Sequence, residues 1–230
     1  MTGVIERVRP ILDRPFFYEF YHSLIGANHR SRVLVSEYIR PKPHDRILDI
    51  GCGPGNMLPF LPVCQYLGVD ANPTCIAFAR QRYSNRGEFM CERVSRHSVE
   101  EFAAFDIVLA LGLVHHLDAE EARDLFRLGY MALRPGGRMI TNDGCYVPGQ
   151  SPTKRFLLAH DRGRYVRTEN QYLELAREYF DEVRSNIRED VLRVPYTHLI
   201  MECIRGTADT PQGSICGLRR FVKATHFADP

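Results

Sequence analysis

The chain has no tryptophan, and none of its 230 residues belongs to an uninterrupted apolar run of about 18, the length a spanning helix needs. A membrane-embedded protein is therefore not expected. The first ten residues, Met1 to Pro10, hold no apolar core of the kind a secretory signal requires, so the expected location is the cytoplasm. Charge of one sign is also missing. Thirty Lys and Arg face 28 Asp and Glu, a net charge of +2, too weak a field to argue for nucleic acid or an anionic membrane as partner. The seven cysteines (52, 64, 75, 91, 145, 203 and 216) contain no C-x-x-C pair. An odd, scattered set reads as free thiols rather than as a disulfide or zinc framework. The phosphate-cradling G-x-x-x-x-G-K-[ST] does not occur.

What is present is concentrated in Arg46 to Asn56. Ile47, Leu48 and Ile50 form a short apolar run, the pattern of a parallel strand buried on both faces. The run stops in Gly51-Cys52-Gly53-Pro54-Gly55. Glycines at a strand's carboxyl end let the chain turn tightly and bring backbone close to a ligand. Doubly wound folds bind nucleotide-like ligands at such turns. The spacing is G-x-G-x-G, and Asn56 occupies the place where a dinucleotide-binding G-x-G-x-x-G has its third glycine. A second strand pattern, Tyr66-Leu67-Gly68-Val69, ends in Asp70, roughly 20 residues on, where a ribose-binding carboxylate belongs. Asn72-Pro73 then reads as a helix cap followed by proline at the first helical position.

This constellation resembles motif I and the ribose acid of the class I S-adenosylmethionine-dependent methyltransferases. Two further signatures agree with that resemblance. One is the F-D-x-V opening at Phe105 with His-x-Leu at its exit; the other is the Leu133-x-Pro135-Gly136-Gly137 turn before a strand. The resemblance spans about residues 15–205, and the insert from Gly149-Gln150-Ser151-Pro152 to Arg167 is similar to that of a bacterial small-molecule subgroup. It implies an α/β, Rossmann-like, seven-stranded and mostly parallel sheet. A C-terminal antiparallel hairpin, helices on both faces and an N-terminal helical lid complete it. It also implies S-adenosyl-L-methionine as cofactor and S-adenosyl-L-homocysteine as product. The cofactor set carried over is Asp49, Gly51, Cys52, Gly53, Gly55, Asn56, Asp70, Ala71, Arg93, Val94, Leu111 and Gly112. Asp49 would hold the methionine ammonium. One departure stands out: where the family places an acid for the adenine amino group, this chain reads Glu92-Arg93-Val94-Ser95, so Glu92 or Ser95 is left to substitute.

Along the chain, residues 11–40 predict two helices, broken at Gly26 and ended by Pro41 and Pro43. They would form the lid, residues 1–40, with Tyr18, Tyr21, Asn28 and Arg30 as lining candidates. The methyltransferase domain is expected over 41–205. Pro59 and Pro62 leave room for only a short helix after motif I. Strands are predicted at 65–70, 88–91, from Phe105, and at 138–143, with helices over 73–84 and after Asp118, which forms a capping box with Glu121. Arg134 to Gly137 predicts a turn. A substrate-side insert covers 144–167, followed by a second capping box at Thr168 and Gln171. Residues 181–191 and 196–204 predict the hairpin, and 206–230 a tail.

Methyl transfer needs an aligned nucleophile and often a base to take its proton. His115 and His116, at the strand-four exit, and Asp143, at the end of strand five, are the candidates. His116 is preferred, because it matches the family's frequent histidine. Tyr21, Tyr146, Arg162 and Arg167 are the substrate-side candidates; arginine forks suit carboxylate and phosphate. No metal is expected, since the acid-rich strand-four exit of catechol-type enzymes is replaced by histidines. No D/N-P-P-Y/F, no Pro-Cys pair and no pair of glutamates in a loop after strand four occurs, which removes amino-methylating DNA enzymes, cytosine C5 chemistry and protein arginine methylation. The expected function is metal-independent methyl transfer to an O or N nucleophile of a small metabolite. A NAD-dependent oxidoreductase and a catalytically silent cofactor-binding partner subunit are the alternatives. The residues leave the acceptor and the oligomeric state open.

Overall fold

The computed structural model describes residues 26–93, 104–160 and 163–207. Tyr21, Val94 and Arg162, with the first leading helix and the tail beyond residue 207, lie outside the described residues.

The chain enters at α1 (Ala27–Val33), which runs on into a π-helical turn, Leu34–Ile39. Gly26 starts it with φ 89°, and Arg40, at φ 43°, stops it. β1 (Arg46–Ile50) leads through the glycine turn to a single 3₁₀ turn, Leu58–Phe60, all that the two prolines allow. β2 (Gln65–Asp70), α2 (Pro73–Tyr83) and β3 (Glu88–Cys91) follow as the sequence predicts. The Asn72 side chain caps α2 by accepting from the Thr74 N–H at 2.9 Å. β4 (Phe105–Leu111) leaves through a 3₁₀ turn, Val114–His116, into α3 (Ala119–Ala132). Asp118 and Glu121 close the expected capping box there. β5 (Leu133–Tyr146), α4 (Pro152–Ala159), β6 (Arg167–Thr168), α5 (Glu169–Arg177), β7 (Glu182–Arg188) and β8 (His198–Ile204) complete the order.

The main strand order is β3-β2-β1-β4-β5-β8-β7. β1 to β5 pair in parallel, and β8 returns antiparallel between β5 and β7. The sequence count of seven strands is short by one: Arg167 and Thr168 pair with Cys145 and Tyr146 to add β6 off the main path. Apolar side chains alternate between two cores. Leu48, Val108, Phe126, Met139 and Tyr172 fill one face; Ile47, Leu109, Ile140 and Ile200 fill the other, beneath Leu34 and Ile39. Because the parallel strands are buried on both faces, ligand access falls at their carboxyl ends. The crossovers reverse direction between β1 and β4, which is where a doubly wound sheet opens a crevice.

Two segments differ from the sequence expectation. The Arg134–Gly137 turn is absorbed into a 14-residue β5. Pairing with β4 jumps from Phe105↔Leu133 to Ile107↔Arg138, and the extra residues bond sideways instead, Gly136 N–H to the Arg205 carbonyl at 2.9 Å. Within the 144–167 insert, α4 is a helix capped by Ser151, in a stretch without a periodic apolar pattern. Only Leu158 of its eight residues is buried, so the apolar pattern of a helix face is nearly absent.

Candidate functional site

The glycine turn sits at the end of β1 and crosses over the end of β2. The N–H groups of Gly51 and Cys52 both donate to the Val69 carbonyl, at 2.8 and 3.2 Å. Gly51, Gly53 and Gly55 all have positive φ, 74°, 54° and 78°. A side chain at Gly53 would meet no protein atom and would project into open space, the mark of a cradle kept clear for a ligand. Beside the turn lies a cavity of about 410 Å³. Asp49, Gly51, Cys52, Gly53, Asn56 and Leu111 line it, and α1 contributes Asn28 and Arg30.

Asp49 is buried, and the Tyr66 hydroxyl donates to its Oδ2 at 2.7 Å. Burial pushes its carboxyl up to about 7; the Tyr66 bond pulls the other way, and the charge of Asp70 adds to the rise. Asp70 shapes the turn rather than lining this cavity. Its Oδ2 accepts from Gly53 N–H at 2.9 Å and its Oδ1 from Asn72 N–H at 2.8 Å. A carboxylate offers about four acceptor positions, so two remain for a pair of ribose hydroxyls. The Cys52 thiol is pushed up by burial and by the two neighbouring acids, which suits a packing residue and not a nucleophile.

The adenine side differs from the sequence expectation. Arg93 is exposed and reaches the Glu121 carboxylate at 3.4 Å, away from the cavity. Glu92 has one carboxylate oxygen buried without a hydrogen-bond partner among the described residues. That orphaned acceptor sits just past β3, where a donor such as an exocyclic amino group would satisfy it.

At the β4 exit the structure joins two of the three candidates for proton transfer. His115 is buried and its Nδ1 lies 2.7 Å from Asp143 Oδ1. The same oxygen accepts the His115 backbone N–H at 3.1 Å. An N–H on Nδ1 donated to the carboxylate leaves Nε2 as the basic nitrogen. His116, the residue preferred on sequence, is exposed and stacks only at an angle on His115, ring centroids 4.3 Å apart.

Residues 47–137 match the family model of the methyltransferase domain. Phosphoethanolamine N-methyltransferase 1 of Triticum aestivum is 29% identical over 163 residues, 66% of this chain and 32% of that protein. Its Arabidopsis thaliana namesake is 25% identical over 181 residues, 75% of this chain and 34% of that protein. The chain spans about a third of the length of the curated relatives it matches. Among solved structures, magnesium protoporphyrin IX methyltransferase from Synechocystis PCC 6803 with bound SAH superposes with a TM-score of 0.63 at 18% identity, over 87% of this chain and 99% of that one. The S-adenosylmethionine-dependent methyltransferase SibL gives 0.63 at 19% identity, over 83% and 58%. Residues 47–137 thus resemble a methyltransferase domain, and the chain shares the fold of the superposed structures.

The remaining sequence candidates fall unevenly around this site. Gly112, at φ 74°, donates its N–H to the Asn142 carbonyl at 2.8 Å and so ties the β4 exit to β5. Ala71 is exposed beside Asp70. Tyr146 ends β5 with the Arg155 guanidinium 5.5 Å from its ring centre. Arg167 is not placed as an anion clamp. Its guanidinium donates to the carbonyls of Val114, Tyr165 and Leu117 at 3.1, 3.0 and 2.8 Å, so it braces the β4 exit from below. Arg167→Met is therefore expected to lower stability by about 1–3 kcal/mol, through loss of charged donors to carbonyls, and to leave the acceptor KM within about threefold. Thermal melts beside steady-state kinetics check this; a large KM rise at constant Tm would restore the clamp.

Sequence reasoning missed His198. It is buried on β8, directly opposite Gly144, and belongs to a strand recognised only by its apolar run. The available signal was the histidine itself, standing where alternation calls for an apolar side chain.

Proposed function

We propose that the protein transfers a methyl group from S-adenosylmethionine to an O or N nucleophile of a small polar metabolite, with phosphoethanolamine the first acceptor to test. The observation that carries this reading is the pair of acids, Asp49 and Asp70, at the ends of adjacent parallel strands and flanking a glycine turn whose Gly53 is kept clear. The phosphoethanolamine N-methyltransferases that the chain is similar to support the acceptor class.

In this reading Asp49 takes the methionine ammonium, Asp70 the ribose hydroxyls and Glu92 the adenine amino group. Asn28 and Arg30 of α1 close the cavity from above, and the 144–167 segment borders the acceptor side. The bound cofactor supplies an activated methyl on a sulfonium, which leaves by in-line displacement. The chain supplies alignment and a proton acceptor, His115 held by Asp143. Titration calorimetry with S-adenosylhomocysteine and with NAD, followed by transfer of labelled methyl to phosphoethanolamine, tests the reading. Binding of NAD in place of S-adenosylhomocysteine would overturn it in favour of an oxidoreductase. Tight cofactor binding without transfer to any of a panel of amine and hydroxyl acceptors would point to a silent partner subunit.

Asp49 adds a pH signature. Its carboxyl stands near 7 in the free protein because it is buried, and a cationic ammonium beside it favours the ionised form. Cofactor binding must therefore release a proton once the pH is below about 7. The affinity for S-adenosylhomocysteine should fall as pH drops through that value, approaching tenfold per unit at the steepest. Asp49→Asn should bind weakly and lose the dependence. Calorimetry from pH 8 to 5.5 in buffers of different ionisation enthalpy reads both the slope and the released proton; a flat profile in the parent protein would remove the ammonium from Asp49.

A further inference from the structure

On the sheet face that carries Asp49, a row of side chains continues past the cofactor cavity. Leu111 of β4 pairs in register with Asn142 of β5. Asn142 lies opposite Ile200 of β8, and His198 follows two residues along on the same face. Leu111 and Ile200 pack in the core beneath α1, so Asn142 and His198 share that face, whereas Asp143 points to the other.

Both residues are almost completely buried, 1% and 4% exposed. Among the described residues neither end of the Asn142 amide has a hydrogen-bond partner, and neither ring nitrogen of His198 has one. Four orphaned polar atoms on one sheet face are costly, on the order of 1–3 kcal/mol for each group, and call for a partner such as a bound ligand. The space a Gly144 side chain would fill is taken by the Tyr196 hydroxyl and by Leu158 of α4, and the Tyr196 ring lies 4.8 Å from that of His198. Arg30 connects the two regions: it lines the cofactor cavity, and its charge acts on His198.

We propose that Asn142 and His198 form the acceptor subsite, holding a hydroxyl or amine of a small polar acceptor beside the methyl position. Burial, with the charges of Arg30 and His115, pushes His198 down to about 3, so its imidazole is neutral at working pH. A neutral imidazole and an amide each offer one donor and one acceptor face. That combination fits a group that both gives and takes hydrogen bonds, which hydroxyls and uncharged amines do and carboxylates do not. His198 is accordingly a positioning residue and not the base.

The inference rests on the methyltransferase reading, and its test separates the two. His198→Phe and Asn142→Leu remove the polar atoms at similar volume. Both should leave S-adenosylhomocysteine affinity within about twofold and should hold or raise Tm, since orphaned polar groups are replaced by apolar ones. With phosphoethanolamine as probe acceptor, KM should rise at least about tenfold in each. A fall in Tm with KM unchanged would make both residues structural and overturn the proposal. If the parent protein leaves phosphoethanolamine unmethylated, the acceptor named above fails, and a crystal structure of the S-adenosylhomocysteine complex decides the subsite. Solvent on the His198 and Asn142 atoms, continuous with the methyl position, upholds it; protein atoms bonded to them, from residues 1–25 or elsewhere, overturn it.

Discussion

Asp70→Ala is expected to weaken S-adenosylhomocysteine binding by about 100-fold or more. Two ribose hydroxyls donating to a carboxylate make charge-assisted bonds of about 1.5–3 kcal/mol each, and about 1.4 kcal/mol is a factor of ten in affinity. A second loss reinforces the first. The Gly53 and Asn72 N–H groups, at 2.9 and 2.8 Å from the same carboxylate, fix the bend of the turn and the entry to α2, and both lose their acceptor. The turn would then have to be ordered by the ligand, at a further cost in affinity. Asp70→Asn keeps one acceptor oxygen and should fall in between, near tenfold. Calorimetry measures the affinities. Thermal melts with and without S-adenosylhomocysteine separate the causes: a lower apo Tm reports the loosened turn, and a lost ligand-induced shift reports the missing ribose contacts. Unchanged affinity in Asp70→Ala would take the ribose away from β2.

The parts of this site that local pattern determines were legible in the sequence. Ile47, Leu48 and Ile50 have to be buried on both faces wherever β1 sits, and a G-x-G-x-G turn has few other uses at a strand's end. The caps at Asn72 and Asp118 were legible for the same reason, since a cap is an interaction within three residues. What escaped depends on partners far along the chain. Pro135-Gly136-Gly137 punctuates the sequence as a turn, yet the Gly136 N–H and the Gly137 carbonyl both bond to Arg205 just after β8, some seventy residues on, and the strand continues. Ser151-Pro152 is a fair helix start, but a helix that buries a single leucine leaves no periodicity to read. His198 gives only a faint local hint, a histidine in an apolar run, because what makes it unusual is the lack of a hydrogen-bond partner among the described residues, and partners are fixed only by packing. The choice between His115 and His116 shows the same limit. Adjacent histidines look alike in sequence; a residue 28 positions away selects one of them.

That selection sets the second large effect. His115→Ala should lower kcat for methyl transfer by about 10²–10⁴, the usual contribution of a positioned base, with S-adenosylhomocysteine affinity unchanged within about twofold. His116→Ala should cost no more than a few-fold, because its ring is exposed, whereas that of His115 is buried and held by Asp143. Asp143 acts through its neighbour. Its Oδ1 fixes both the backbone and Nδ1 of His115, so Asp143→Asn can preserve the shape and still present the wrong charge to an imidazole that gains a proton during turnover. It should therefore lose most of the rate that His115→Ala loses, and the double variant should be little slower than either single one, because the two residues work as one unit. The nucleophile decides how far the rate falls. A hydroxyl must give up its proton as it attacks, and an ammonium such as that of phosphoethanolamine before it attacks, so both depend on a base; an amine that is already neutral can be methylated first and deprotonated later. A drop near the lower end of the range marks such a neutral amine as the nucleophile. If His116→Ala slowed transfer more than His115→Ala, the buried pair would be structural, and the base would have to be sought on the exposed side of the β4 exit.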